Sequence, residues 1–182
     1  MTIEEILNAQ REAYLHEYSE LSNSCDGAKE ILLAMNNESE EELFSLYRPD
    51  CLLKDENGEF SMKDYISNVY FNHDSIEISF NEGVLELNPF QWCSVRIDIE
   101  GTIQNLDELI AWGEKWIDLD DVKEVNKETG FQEVIHSISI ENIPSDKQTI
   151  YIDMGTSPIQ AFIELLDILK LSGVGKIIIK EN

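Results

Sequence analysis

The sequence predicts an α+β fold: a C-terminal ferredoxin-like β-α-β-β-α-β sheet layer with an N-terminal helical extension. Three observations lead there. Apolar residues alternate in Val95, Ile97 and Ile99, in Val134, His136, Ile138 and Ile140, and in Ile150 and Ile152, the period of half-buried strands. A helical spacing, Leu106, Leu109, Ile110, Trp116 and Ile117, separates the first two of these runs. Residues 148–180 then read strand, helix, strand, which implies a right-handed crossover between parallel strands. The order from residue 92 onward is therefore β-α-β-β-α-β, with two helices on one face of an antiparallel sheet. Residues 1–72 form the helical N-terminal region and 73–182 the α+β region, expected to pack as one compact unit, with seams at 50–60 and 72–92.

Residues 2–21 read as a helix, with Thr2 and Glu5 as a capping box and Ile3, Ile6, Leu7, Tyr14, Tyr18 and Leu21 near one face. Ala28, Ile31, Leu32 and Met35 predict a second helix, ended by Asn36 and Asn37. Ser39 caps a third, with Glu40, Glu41 and Glu42 where the helix dipole favours anions. Its apolar residues are Leu43, Phe44, Leu46 and Tyr47, and Pro49 stops it. Residues 54–59 make a turn whose Asn57-Gly58 pair suits a hairpin tip. Ser61 and Asp64 open a short helix bearing Met62, Tyr65, Ile66, Val69 and Tyr70. Strands follow at 76–80, 84–87 and 95–99, then a helix from Asn105 and a strand over 134–140.

In the last stretch Ser157 reads as an N-cap, Pro158 as the first helical residue and Gln160 as the far half of a capping box. The helix runs to Ser172, where Gly173 supplies the left-handed stop. Its apolar arc covers roughly 220°, against ~100° for a surface helix. One flank should cover the sheet and the other should meet the N-terminal helices.

Apolar content of 42% in 182 residues supports a folded core. No apolar run reaches the length of a membrane span. The start is acidic and lacks signal-peptide regions, and Cys25, Cys51 and Cys93 are odd in number and widely spaced. They read as reduced thiols in a cytoplasmic protein. Net charge is −24, of which −15 falls on residues 1–90 and −9 on 91–182, so it is a distributed surface and not a tail. Such a surface repels nucleic acid and anionic membranes and draws in basic proteins.

Catalytic groupings are scarce. His16 lies on the polar side of its helix, and His136 shares a face with Ile138 and Ile140, where a hydrogen-bonded core role is expected. His73 and Asp74 are adjacent and cannot orient one another within a strand. Asp118-Leu119-Asp120-Asp121 does not fit a calcium loop, because Lys123 and Thr129 stand where Gly and Glu are needed. Gly155-Thr156-Ser157 lacks the lysine of a phosphate loop. No nucleotide, zinc or haem motif is present, so neither cofactor nor metal is expected. What remains is an interaction surface at the end of one helix: Trp112, Trp116, Asp118, Asp120, Asp121 and Glu124.

The segment Tyr151-Ile152-Asp153-Met154-Gly155-Thr156-Ser157-Pro158, followed by Ala161, Leu165 and Leu166, resembles the C-terminal part of bacterial toxin immunity proteins of the contact-dependent growth inhibition type. The resemblance implies a non-enzymatic inhibitor of a basic toxin, with a nuclease domain as the natural partner. Trp116, Asp118, Asp120, Asp121 and Glu124 are the expected partner-binding residues. Two alternatives stand beside it. One is a small enzyme with a cone-shaped pocket, for which Tyr65, His73 and Asp74 are the residues to test. The other is a scaffold subunit that self-associates through the helix after Pro158.

Overall fold

The computed structural model describes residues 1–182 except 24, 26, 33–41, 68, 82 and 144–146. In chain order the elements are α1 (Ile3–Asn23), β1 (Ala28–Lys29), β2 (Glu42–Tyr47), β3 (Cys51–Lys54), β4 (Phe60–Lys63), β5 (Ile76–Phe80), β6 (Gly83–Leu87) and β7 (Val95–Glu100), followed by α2 (Leu106–Ile117), β8 (Ser137–Ile143), β9 (Lys147–Asp153), α3 (Ile159–Leu171) and β10 (Lys176–Glu181). The class is α+β. The alternating strands do what their period requires: Val95, Ile97, Ile99, Ile138, Ile140, Ile150, Ile152, Ile177 and Ile179 all turn to one buried face.

Seven strands form the main sheet in the order β2-β8-β9-β7-β10-β6-β5. β9 and β10 do not pair with each other. β7 lies between them, antiparallel to both. β6 joins β10 in parallel, so the sheet is mixed. A second sheet of three short strands has the order β1-β3-β4. The wide apolar arc of α3 is met by α1 and by α2, as its breadth requires. No helix among the described residues is long and apolar enough to cross a membrane.

The capping box opening α1 forms: Thr2 N–H donates to Glu5 Oε2 at 2.8 Å and Glu5 N–H to Thr2 Oγ1 at 3.2 Å. The Asn-Gly turn also forms, joining β3 to β4 with Gly58 at φ 85°. Among the described residues, three expected helices do not appear. Ala28 and Lys29 pair with β3, and the rest of that expected helix lies largely outside the described residues. Residues 42–47 are β2, registered on β8 with Leu46 opposite Ile138. A segment this short fits both periods, and pairing with β8 decides it. Residues 60–63 are drawn into a hairpin by the preceding turn, and the described residues of 61–70 form no helix.

Two local readings are also corrected. Cys25 and Cys51, expected as thiols, are disulfide-bonded with their Cα atoms 6.5 Å apart, and Cys93 is free. The N-cap of α3 is Pro158, one residue later than expected. The Ser157 hydroxyl donates instead to the Met154 carbonyl at 2.6 Å.

The outer face of the sheet is polar. Asp98 there receives Arg96 Nε at 2.8 Å, Lys180 Nζ at 2.5 Å and the Thr149 hydroxyl at 3.1 Å. Burial pushes its carboxyl up, but hydrogen bonds from Lys180, Arg96 and Thr149 more than offset this and hold it below the usual range. A folded pKa below the unfolded one stabilises the protein above about pH 4 and is lost as pH falls through the folded value. Asp98→Asn is therefore expected to cost about 0.5–1 kcal/mol at pH 7, the small size reflecting solvent screening. In urea titrations the difference should vanish near pH 2; a gap of equal size at both pH values refutes the pairing.

Candidate functional site

The cluster begins with the period-two face of β8. His136, the residue before that strand, follows Ile138 and Ile140 inward and is 2% exposed. A buried imidazole needs partners on both nitrogens. Nε2 meets Glu30 Oε1 at 3.0 Å, and Nδ1 lies 2.5 Å from Asp50 Oδ1, close enough for an ion pair though without hydrogen-bond alignment. Glu30 is fastened further by the Thr156 hydroxyl at 2.5 Å and the Gln132 N–H at 3.0 Å. Asp50 also accepts the Tyr65 N–H, and Asp153 accepts the Gly155 N–H at 2.8 Å. Tyr14 and Tyr18 of α1 stack 5.4 Å apart and close the top, with the Tyr18 ring 5.6 Å from that of His136.

Burial opposes the His136 imidazolium, but the pairing of its ring nitrogens with the Asp50 and Glu30 carboxylates and the charge of Asp153 outweigh it, and its pKa stands well above the ordinary value. Asp153 is pushed up to about 7, by burial first and by the charge of Asp50, while His136 pulls the other way. Burial likewise raises the free thiol of Cys93 to about 12, so it is no ready nucleophile.

Gly155 makes the ring's position possible. A Cβ there would lie 2.3 Å from His136 Cδ2, and the residue sits at φ 49°. Because Glu30 and Asp50 hold the ring from both sides, it cannot swing away. Gly155→Ala is expected to cost about 3 kcal/mol in chemical denaturation, from left-handed strain plus overpacking. A loss under 1 kcal/mol is the outcome that rejects a clamped ring.

Arg48 links this cluster to the surface. Its backbone N–H donates to the His136 carbonyl at 2.6 Å, and its side chain is 0% exposed. The guanidinium donates to the carbonyls of Ile117, Glu30 and Asp118, to Gln132 Oε1 at 2.6 Å, and to Asp121 Oδ1 at 3.0 Å. Glu30, Asp118 and Asp121 all have left-handed backbones, with φ of 50°, 59° and 51°. One buried cation thus fixes the strained turn that follows α2.

The expected partner-binding residues divide at this turn. Trp116 is 9% exposed, donates to Glu164 Oε2 at 2.9 Å, and has Lys115 and Lys123 over its ring. Trp112 is buried and donates to the Ala161 carbonyl at 2.9 Å. Asp118 is buried as the C-cap of α2, and its carboxylate accepts the Lys123 N–H at 2.8 Å. Asp120, Asp121 and Glu124 face solvent. Beside them stand Leu119, Val122 and Val125, 37%, 74% and 53% exposed, which sequence reading passed over. Three aliphatic residues spaced through an acidic loop were the available signal.

The residues of the enzymatic alternative do not form a triad in the described contacts. The Tyr65 hydroxyl donates to Glu17 Oε2, and His73 Nδ1–H meets the Asp74 backbone carbonyl at 2.8 Å, not its carboxylate. The molecule is thus an α+β protein with a buried carboxylate–imidazole cluster beneath a braced acidic loop. Comparison with protein-family models, curated proteins and solved structures finds no match to this chain.

Proposed function

We propose that this chain is an immunity protein that binds a basic toxin, a nuclease domain above all, and blocks its working cleft. The observation that carries the reading is the loop 118–125. It sets Leu119, Val122 and Val125 bare among Asp120, Asp121 and Glu124, and Arg48 braces it from beneath. Bare aliphatics rimmed by carboxylates suit a cationic partner with a shallow apolar centre, and a preformed loop loses little entropy on docking. The net charge of −24 adds long-range steering toward such a partner. Within the fold, the order β8-β9-β7-β10 with α2 and α3 supports the ferredoxin-like reading of the C-terminal region.

A cytoplasmic setting goes with a nuclease partner, whereas the Cys25–Cys51 bridge favours an oxidising one. Alkylation of the protein in cells before lysis tells the two apart. The test of function uses a basic nuclease toxin domain, taken from the gene immediately upstream where that gene encodes one. Asp120→Lys with Glu124→Lys is expected to slow association with that domain about tenfold at low salt, and Val122→Asp to speed dissociation. Rates unchanged by both variants remove this loop as the binding face, and no binding by the unaltered protein removes the function.

A further inference from the structure

Carboxylates gathered in a protein interior must be neutralised by a proton, a basic side chain or a cation. Here Glu30, Asp50 and Asp153 share a single imidazole. Two observations single out part of this group. Asp50, His136 and Asp153 each offer one ligand atom, and those atoms lie within 4.8 Å of one another. The buried polar atoms without an aligned hydrogen bond also collect at this place. Among the described residues, the buried side-chain atoms without a hydrogen-bond partner are Asp50 Oδ1, His136 Nδ1 and the Tyr14 hydroxyl, with His73 Nε2 elsewhere. Tyr14 is fully buried, and burial together with the charges of Asp153 and Asp50 holds its pKa well above the ordinary value.

The supports around these atoms are those a metal needs. His136 gives its Nε2–H to Glu30, which fixes the ring and leaves Nδ1 as the inward donor. Glu30 is itself held by Thr156 and Gln132. Asp50 is anchored through its other oxygen by Tyr65, and Asp153 by the Gly155 N–H. A cavity of about 30 Å³, room for one water, adjoins Asp50 between Tyr18, Ser22 and the Cys25–Cys51 bridge.

We propose that Asp50, His136 and Asp153 bind a divalent transition-metal ion of the zinc type, with the Tyr14 hydroxyl beside the fourth position. An imidazole nitrogen among the donors argues against magnesium and calcium, which take oxygen. Asp50 Oδ1 and His136 Nδ1, now 2.5 Å apart, must open to about 3.3 Å, the edge of a tetrahedron with bonds near 2.0 Å. The site is separate from the partner-binding face and stands whether or not that reading holds.

The test starts from protein stripped with a chelator and dialysed into metal-free buffer. Calorimetry with Zn²⁺ is expected to show one saturable site per chain with a low-micromolar or tighter Kd, and a Tm several degrees higher. Co²⁺ should give the visible absorption of low-symmetry nitrogen and oxygen coordination. Asp153→Asn should weaken Zn²⁺ binding at least tenfold without lowering the metal-free Tm, and Tyr14→Phe should weaken it less. Absence of saturable uptake, equal uptake by Asp153→Asn, or an equal rise in Tm with Ca²⁺ overturns the proposal.

Discussion

Arg48→Met is expected to lower the free energy of unfolding by about 5 kcal/mol, the upper part of the range for breaking a buried charged network. The guanidinium is wholly removed from water and is solvated by protein dipoles, chiefly the carbonyls of Ile117, Glu30 and Asp118 and the side chain of Gln132. Its only carboxylate partner among the described contacts, Asp121, is 60% exposed and contributes little. A methionine fills the volume but leaves those carbonyls facing an apolar chain, at roughly 1–3 kcal/mol for each that water cannot reach. Glu30, Asp118 and Asp121 also keep left-handed backbones that the guanidinium stabilises. Urea unfolding measures the loss, which corresponds to a Tm drop of roughly 10–20 °C for a chain of this size. Arg48→Lys should recover less than half, because a single ammonium cannot match five acceptors in a plane. Hydrogen exchange should quicken at Leu119 and Asp121, whose N–H groups bond Glu114 and Asp118 in the braced turn. A loss below 1.5 kcal/mol, or unchanged exchange in the turn, contradicts the bracing role.

The sequence made some of this architecture legible because the relevant signals were local. Alternation in Val95, Ile97 and Ile99, or in Ile150 and Ile152, needs no distant partner to be read. The same holds for the capping box of Thr2 and Glu5 and for the turn at Asn57-Gly58. β2 was misread because Leu43, Phe44, Leu46 and Tyr47 fit a helical face as well as a strand, and the deciding partner, β8, lies far along the chain. Ser157 failed as a cap because its hydroxyl turns back to Met154, and Thr156 beside it goes to Glu30. The inward direction of His136 could be read from Ile138 and Ile140. Its partners could not: Glu30 and Asp50 arrive from segments whose placement only the fold decides. The acids of the loop after α2 were visible, whereas the covering of Trp116 depends on Lys123 folding back across it.

His136→Leu is expected to cost about 4 kcal/mol in metal-free buffer, nearly all of it through the carboxylates left behind, Glu30 and Asp50 foremost. Leucine matches the buried volume, so packing alone predicts a small loss. Glu30 would keep the Thr156 hydroxyl and the Gln132 N–H, and Asp50 would keep the Tyr65 N–H, but neither would face a positive charge. Unpaired carboxylates in the interior are what make half of a broken network worse than none. The distinguishing experiment is therefore the triple variant His136→Leu, Asp50→Asn, Glu30→Gln. The amide of Asp50→Asn keeps an acceptor for the Tyr65 N–H, and that of Glu30→Gln accepts the Gln132 N–H while its NH2 donates to the Thr156 hydroxyl oxygen, so the triple variant should recover at least half of the single variant's loss in urea titrations. Additive losses, with the triple variant weaker than the single one, would mean that each polar group stabilises the fold separately. In that case His136 is a packed ring with incidental neighbours, and the cluster does not act as one electrostatic unit.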